Sequence, residues 1–305
     1  MDNKFAWLLI GVGASLWGII GVFVTYLYEM GFSPIQVVAI RALSATFFLV
    51  FYVLLKNRQL LKIKVSDSKY FIGTGIFSIV LFNWCLFSAI EETSISIASI
   101  LLYTAPTFVT ILSRLIFKEL LTTRKVLALI ITFIGCSFVI GILPNTNESI
   151  SLYGFILGLG SGLFYAFYSI FGTFALRKYH SLTVTVYTFL FAAIAVTPFS
   201  GLWVVAPFFS NIKVWIYIIG LGFLSTMLPF IFYTKGLNTI ESSRASIIAT
   251  IEPVVASLVG FFVFQETLNV WQYFGILMVI ASVIIVQETA KKTNKKTWNS
   301  DRVSL

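Results

Sequence analysis

The chain has 305 residues, of which 58% are hydrophobic and only 11% charged, and its mean hydropathy is +0.96. A soluble globular chain carries about 25% charged residues. This chain cannot cover its apolar side chains with polar surface, so a water-soluble globule is excluded and lipid must be its solvent. The formal charge of +9 would suggest a nucleic-acid partner in a soluble protein, but the placement of the charges gives another account.

About 20 apolar residues cross roughly 30 Å of hydrocarbon as a helix. Ten segments qualify, at approximately 5–27, 34–55, 70–90, 95–117, 126–143, 152–176, 182–205, 214–236, 245–265 and 270–287. The first is too long for a signal peptide and lacks an Ala-x-Ala-like cleavage site after it, so it reads as a retained span. The connections are short, and the longest, 56–69, holds Lys56, Arg58, Lys62, Lys64 and Lys69. With the N-terminus cytoplasmic, 19 of the 21 Lys and Arg residues fall on the cytoplasmic side, including Lys291, Lys292, Lys295, Lys296 and Arg302 of the tail. Lys213 alone falls outside, and Arg41 lies within the second span. Positive-inside bias thus explains the charge without nucleic acid, and both termini are expected in the cytoplasm.

A single gapless offset of 147 aligns the two halves of the chain. Gly11 and Gly13 meet Gly158 and Gly160, and Tyr70, Gly73 and Gly75 meet Tyr217, Gly220 and Gly222. Ala98, Ser99, Ile100 and Pro106 meet Ala245, Ser246, Ile247 and Pro253, and Glu119 meets Glu266. Five spans per half is an odd number, so the second copy enters the membrane the other way up. The expected fold is an all-α integral membrane protein, with ten transmembrane helices in two inverted five-helix repeats, 1–143 and 152–287, followed by a basic tail, 288–305. Transporters built this way hold substrate near the midplane, between the repeats, where helices are interrupted.

Pro106 and Pro253 mark such interruptions. A proline removes one backbone hydrogen bond and clashes with the carbonyl four residues back, here that of Leu102 or Ala249. In lipid a freed carbonyl needs a partner, so each kink is either a packing feature or part of a cavity wall. Glu252 lies eight residues, roughly 12 Å, beyond Arg244, near the bilayer centre. A carboxylate there costs on the order of 2.5–3.5 kcal/mol on insertion scales. It reads as a proton or cation site, as the partner of a substrate ammonium, or as a neutral acid bonded to the kinked backbone. Arg41, seven residues or roughly 10 Å from the end of its span, reads as one half of an internal pair or as a contact for a substrate carboxylate. Trp17, Asn83, Trp84, Tyr103, Tyr165, Tyr168 and Tyr233 recur at mid-depth, where they either line an aromatic cavity or pack helices together.

Other features carry less. Cys85 and Cys136 sit in apolar runs and read as core residues, and the lone His180 is far from both, so no metal site and no disulfide framework is expected. Gly154, Gly158 and Gly162 mark close helix packing. No nucleotide loop is present, so neither a cofactor nor direct ATP-driven pumping is expected. Glu119 and Glu266 read as caps or tethers for the start of the next helix. Asn147-Glu148-Ser149 is formally a glycosylation sequon.

At these residues the chain resembles the drug/metabolite transporter superfamily, specifically its EamA-type members. The features that carry the likeness are the two five-helix repeats, Pro34 followed by Arg41, and the ordered set from Ala98-Ser99 to Pro106 to Glu119, echoed from Ala245-Ser246 to Glu252-Pro253 to Glu266. The chain departs from symmetry where Ala105 stands opposite Glu252 and Thr188 opposite Arg41. The resemblance implies an inner-membrane carrier that often exports amino acids or other small metabolites. It also implies a central cavity made by spans 1, 3, 4, 6, 8 and 9, with Trp17, Asn83, Trp84, Tyr103, Tyr165, Tyr168, Tyr233 and Glu252 as its substrate contacts. The expected partners are a small-molecule substrate, membrane lipid and protons. A passive pore of the same fold is the alternative. An intramembrane enzyme has too few charged groups to draw on, and the aqueous loops are too small for a scaffold.

Overall fold

The computed structural model describes residues 2–144 and 151–288. The sequon at 147–149 and the basic tail beyond 288 lie outside the described residues. Nine described helices are long and apolar enough to cross a membrane. They are α1 (Asn3–Glu29), α2 (Pro34–Lys56), α3 (Val65–Glu92), α4 (Ile95–Phe117), α6 (Leu152–Leu176), α7 (Ser181–Phe199), α8 (Ile212–Leu237), α9 (Ser242–Val263) and α10 (Val270–Gln287). Between α4 and α6 lies α5 (Thr123–Val139), which is shorter at 17 residues.

The helix starts follow local chemistry. Ser33 caps α2 in a reciprocal box with Gln36, with Pro34 in the first turn. The side chains of Ser94, Thr122, Ser151, His180 and Asn211 each accept a backbone N–H at the start of α4, α5, α6, α7 and α8. Such capping matters where a helix end has little water to turn to.

The packing pairs exchange under the offset of 147. Helix α3 packs on α6 and α7, and its counterpart α8 packs on α1 and α2. Helix α4 packs on α6, and α9 packs on α1. Helices α2 and α7 cross each other, and α5 lies along α10, where the Thr132 hydroxyl donates to Ser282 at 2.7 Å. Both α3 and α8 also carry a π-helical stretch, Gly73–Val80 and Gly220–Met227, at identical places in the repeat. Long π runs are rare and cluster at functional sites. Small residues let these stretches cross α7 and α2 closely. A Cβ on Gly75 would lie 2.5 Å from the Thr188 carbonyl oxygen, and one on Gly222 would collide with the Ser44 hydroxyl.

Connections gather at two ends. At one end, the Tyr187 and Thr183 hydroxyls donate to the Leu61 and Leu60 carbonyls at 2.6 and 2.8 Å, and Lys178 pairs with Asp67 at 2.7 Å. Asp67 in turn holds the Lys178 ammonium above its ordinary value. The 118–125 and 241–244 segments join this end through Lys125 and Glu241, 2.9 Å apart. It carries most of the described Lys and Arg residues and is called the basic face below. At the far face, Ser151 donates to the Glu92 carbonyl at 3.3 Å, Gln272 to the Val139 carbonyl at 3.2 Å, and Tyr26 stacks on Tyr217.

The close crossing at Gly75 sets a test. Gly75→Ala should destabilise the protein by about 1–3 kcal/mol through overpacking against the backbone of α7. Gly21→Ala, whose new methyl meets nothing within 4 Å, should be neutral or stabilising. Thermal melts of the two variants in detergent, side by side, check this.

Candidate functional site

Two helices are broken at mid-length. Helix α4 runs as Ile95–Leu102 and then Ala105–Phe117, with Tyr103 and Thr104 between the halves. Helix α9 runs as Ser242–Ala249 and then Ile251–Val263, with Thr250 between. The expected kinks are therefore complete breaks, and the first halves end at Leu102 and Ala249, whose carbonyls the prolines displace. At each break a threonine hydroxyl turns back to the carbonyl three residues earlier: Thr104 to Leu101 and Thr250 to Ile247, both at 2.6 Å. The same two carbonyls also accept the Thr104 and Thr250 N–H groups, so each threonine closes a tight turn on itself at the break. Helix α1 has a milder break at Ile19, beside Trp17.

The broken stretches face each other across a small cavity of about 20 Å³, walled by Tyr103, Ala105 and Pro106 on one side and Ser246, Thr250 and Glu252 on the other. Beside it lies a larger cavity of about 210 Å³, which shares Leu102, Tyr165 and Glu252 with the first. An apolar cavity of about 150 Å³ can hold benzene, so the larger one has room for a small organic molecule.

Its floor is aromatic. Trp17 packs on Phe230 and Tyr233 at 4.9 and 5.3 Å between ring centroids, and Tyr168 and Phe189 pack on Phe230 at 5.0 and 4.7 Å. The Tyr168 and Tyr233 hydroxyls are tied to Thr234 and Ser169, which fixes both rings. From this floor the lining continues along Ile20 and Val24 to Tyr28 in the last turn of α1, which is exposed. The cavity thus runs toward the far face and is closed toward the basic face.

Three polar groups in its wall are not consumed by packing. The Arg41 Nε–H donates to the Thr226 hydroxyl at 3.0 Å, and the guanidinium lies 5.8 Å from the centre of the Phe230 ring. Arg41 therefore has a neutral hydrogen-bond anchor, and Glu252 lies near enough to act on it electrostatically without a direct ion pair among the described residues. Glu252 is half-buried at the cavity wall, and among the described residues no donor lies within hydrogen-bond distance of its carboxylate. The Trp17 Nε1–H is buried and has no partner among the described residues. An unpaired buried donor is costly, and a ligand acceptor in the cavity would relieve it.

Of the residues expected to meet substrate, Trp17, Asn83, Tyr165, Tyr168, Tyr233, Glu252 and Arg41 line the larger cavity. Tyr103 and Pro106 line the smaller one. Pro253 is buried behind the break. Trp84 is a correction: it is 58% exposed on the outer side of α3 and lines neither cavity. Neighbouring helical residues point about 100° apart, so Asn83 and Trp84 do not share a face. The helix expectation also omitted α2, which contributes Val37 and Val38 besides Arg41. Ser78, Phe82, Ser169 and Phe230 were missed too. Ser169 follows Tyr165 by four and Phe230 precedes Tyr233 by three, so helical spacing alone would have found both.

Glu119 tethers the start of the next helix through Lys125, 3.6 Å away in the first turn of α5, but its main hold is elsewhere, and Glu266 makes no corresponding tether among the described residues. The Glu119 carboxylate reaches across to the start of α9, where it accepts from the Ser242 and Ser243 backbone N–H groups at 2.9 and 3.3 Å and from the Ser243 hydroxyl. Burial pushes this carboxyl up, against the pull of Lys125. Glu266 is exposed and makes no such contact.

Relatives bear on what such a cavity serves. The chain is 28% identical over 284 residues to an uncharacterised transporter of Archaeoglobus fulgidus, covering 92% of this chain and 98% of the relative. A second protein of that organism, also an uncharacterised transporter, is 33% identical over 198 residues, covering 65% and 69%. An uncharacterised transporter of Bacillus subtilis is 27% identical over 260 residues, covering 82% and 80%. A solved crystal structure shares the fold, with a TM-score of 0.78 at 14% identity over 95% of this chain and 99% of the other. The EamA-like transporter family matches residues 4–141 and 152–287, each half once, so the protein is a multi-pass membrane protein that belongs to that family.

Proposed function

We propose that the protein is a secondary carrier that exports an amino acid or a related small organic compound across the cytoplasmic membrane by alternating access, with Glu252 linking transport to protons. The observation that carries this reading is the larger cavity beside the two helix breaks, whose wall gathers Arg41, Glu252 and Trp17, the last with an indole N–H that has no partner among the described residues. Arg41 and Glu252 come from different walls, α2 and α9, and offer a cation and an anion to one small guest. A zwitterion satisfies both: its carboxylate pairs with the Arg41 fork and its ammonium with Glu252. The aromatic floor excludes water and adds a face for the ammonium. When the ammonium leaves, a proton takes its place on Glu252, which spares the bilayer centre an unpaired charge.

The membrane arrangement belongs to the same reading. Ten spans form two inverted repeats, 1–143 and 152–287, with both termini and the 288–305 tail in the cytoplasm. Support comes from the exchanged packing pairs and from the gathering of Lys and Arg residues at one end. The basic face is then cytoplasmic, and this conformation is open to the outside. A passive pore is disfavoured by the packed aromatic floor: a pore would give ohmic current, whereas a carrier gives saturable counterflow.

Counterflow of a mixture of radiolabelled L-amino acids in proteoliposomes tests the proposal. Wild type should show saturable exchange that depends on pH, and Glu252→Gln should abolish the pH dependence. Exchange by Glu252→Gln with an unaltered pH profile would remove the proton role. Arg41→Lys keeps the charge and loses the planar fork, and should raise KM by about tenfold, the equivalent of about 1.4 kcal/mol, with a smaller effect on maximal rate.

A further inference from the structure

We infer that Glu119 and Glu266 are the two positions of one gate: each clasps the start of a broken helix at its own face, and only one clasp is closed at a time. This rests on the alternating-access reading above.

The clasp at the basic face is closed. Lys118 adopts a left-handed backbone, φ 56°, at the end of α4, and the Glu119 N–H bonds back to the Ser113 carbonyl at 3.3 Å. This turn aims the Glu119 carboxylate at the first two residues of α9, Ser242 and Ser243. A carboxylate there satisfies N–H groups that the helix cannot pair itself, and it faces the positive end of the helix dipole. Lys125 reinforces the join, 3.6 Å from Glu119 and 2.9 Å from Glu241, and Glu241 holds Arg244 at 2.7 Å. The cluster is buried and seals α9 against α4 at the basic face. The cavity is closed on that side.

The open clasp repeats every structural part at the offset of 147. Gln265 has φ 57°, and the Glu266 N–H bonds back to the Gly260 carbonyl at 3.1 Å. Its carboxylate is folded against Gly260, where a side chain would displace it. The residues corresponding to Ser242 and Ser243 are Ile95 and Ser96, the first two of α4. Ser96 supplies the same backbone N–H and the same hydroxyl as Ser243, and it is only half-buried. The geometry of the closed clasp therefore has a complete and unjoined copy at the far face, where the cavity is open. A swing of the half-helix Ile95–Leu102 toward Glu266 would join it and close the far mouth. The ionic reinforcement is not repeated, since Gln272 stands opposite Lys125 and Ser94 opposite Glu241. The two closures thus differ in strength, and the one at the basic face dominates at rest.

Two cysteine reporters test this in full-length protein in nanodiscs, with Cys85 and Cys136 replaced by Ala. Val24→Cys lines the far-side cavity, and Thr173→Cys lies buried beside Ser242 at the basic side. With a membrane-impermeant maleimide, Val24→Cys should label quickly and Thr173→Cys slowly. Adding Glu119→Gln should slow the first at least threefold and speed the second. Adding Glu266→Gln or Ser96→Ala to that background should return Val24→Cys to fast labelling. Ser243→Ala, which removes one bond of the closed clasp, serves in place of Glu119→Gln where that variant misfolds, and should shift the reporters in the same direction. Amino-acid counterflow that is intact while neither reporter responds to these changes overturns the clasp and leaves the carrier reading standing. Reporters that respond without any counterflow support the clasp and sink the carrier reading.

Discussion

A chain in hydrocarbon must pair its own backbone polar groups, and nearly everything distinctive here follows from breaking that condition at two places. Leaving a carbonyl or N–H unpaired in lipid costs several kcal/mol. The breaks at Tyr103–Thr104 and Thr250 are therefore held inside the bundle, against each other and against α6. Thr104 and Thr250 tighten the chain there, each bonding the carbonyl three residues back with both its N–H and its hydroxyl. The space that remains between the half-helices is walled by Tyr103, Pro106, Thr250 and Glu252, and it is the place where the carrier proposed above would offer partners to a polar guest.

The twofold resemblance of the halves governs structure more tightly than it governs chemistry. The left-handed residues at 118 and 265 and the return bonds that follow them agree position for position. The chemically active residues do not. Arg41 has Thr188 as its counterpart, yet both reach across to a threonine of a partner helix, Arg41 to Thr226 and Thr188 to Thr74. The same structural task is done once by a charge and once by a hydroxyl. Glu252 has only Ala105 opposite. The backbone repeats closely between the halves, whereas the charged residues of the cavity wall do not.

Much of this was legible in the sequence because its signals are local or exactly repeated. Hydropathy marks the spans, proline marks the breaks, and a charge inside an apolar run marks Arg41 and Glu252. What escaped depended on rotation about a helix axis or on contact between distant segments. Trp84 looked equivalent to Asn83 because both lie at the same depth, but depth does not fix which way a side chain points. Glu119 looked like a cap or tether for the helix beginning a few residues later, and Lys125 there does pair with it, but its hydrogen-bond donors lie 123 and 124 residues away. No local pattern encodes that reach. Only the serine pair at the start of α9 hints at it, and its significance depends on knowing that α9 begins beside the end of α4.

The paired π stretches of α3 and α8 have an effect on phase. A π turn holds one residue more than an α turn, so everything beyond it is rotated by about 100° from where an uninterrupted α-helix would put it. Asn83 and Tyr233 both lie beyond their stretches, and both owe their aim to that surplus residue. Deleting one residue from either stretch would leave the composition of the wall almost unchanged while turning its polar groups toward lipid. The surplus occurs at the same place in both halves without disturbing the offset, so each half turns its cavity-facing residues by the same amount.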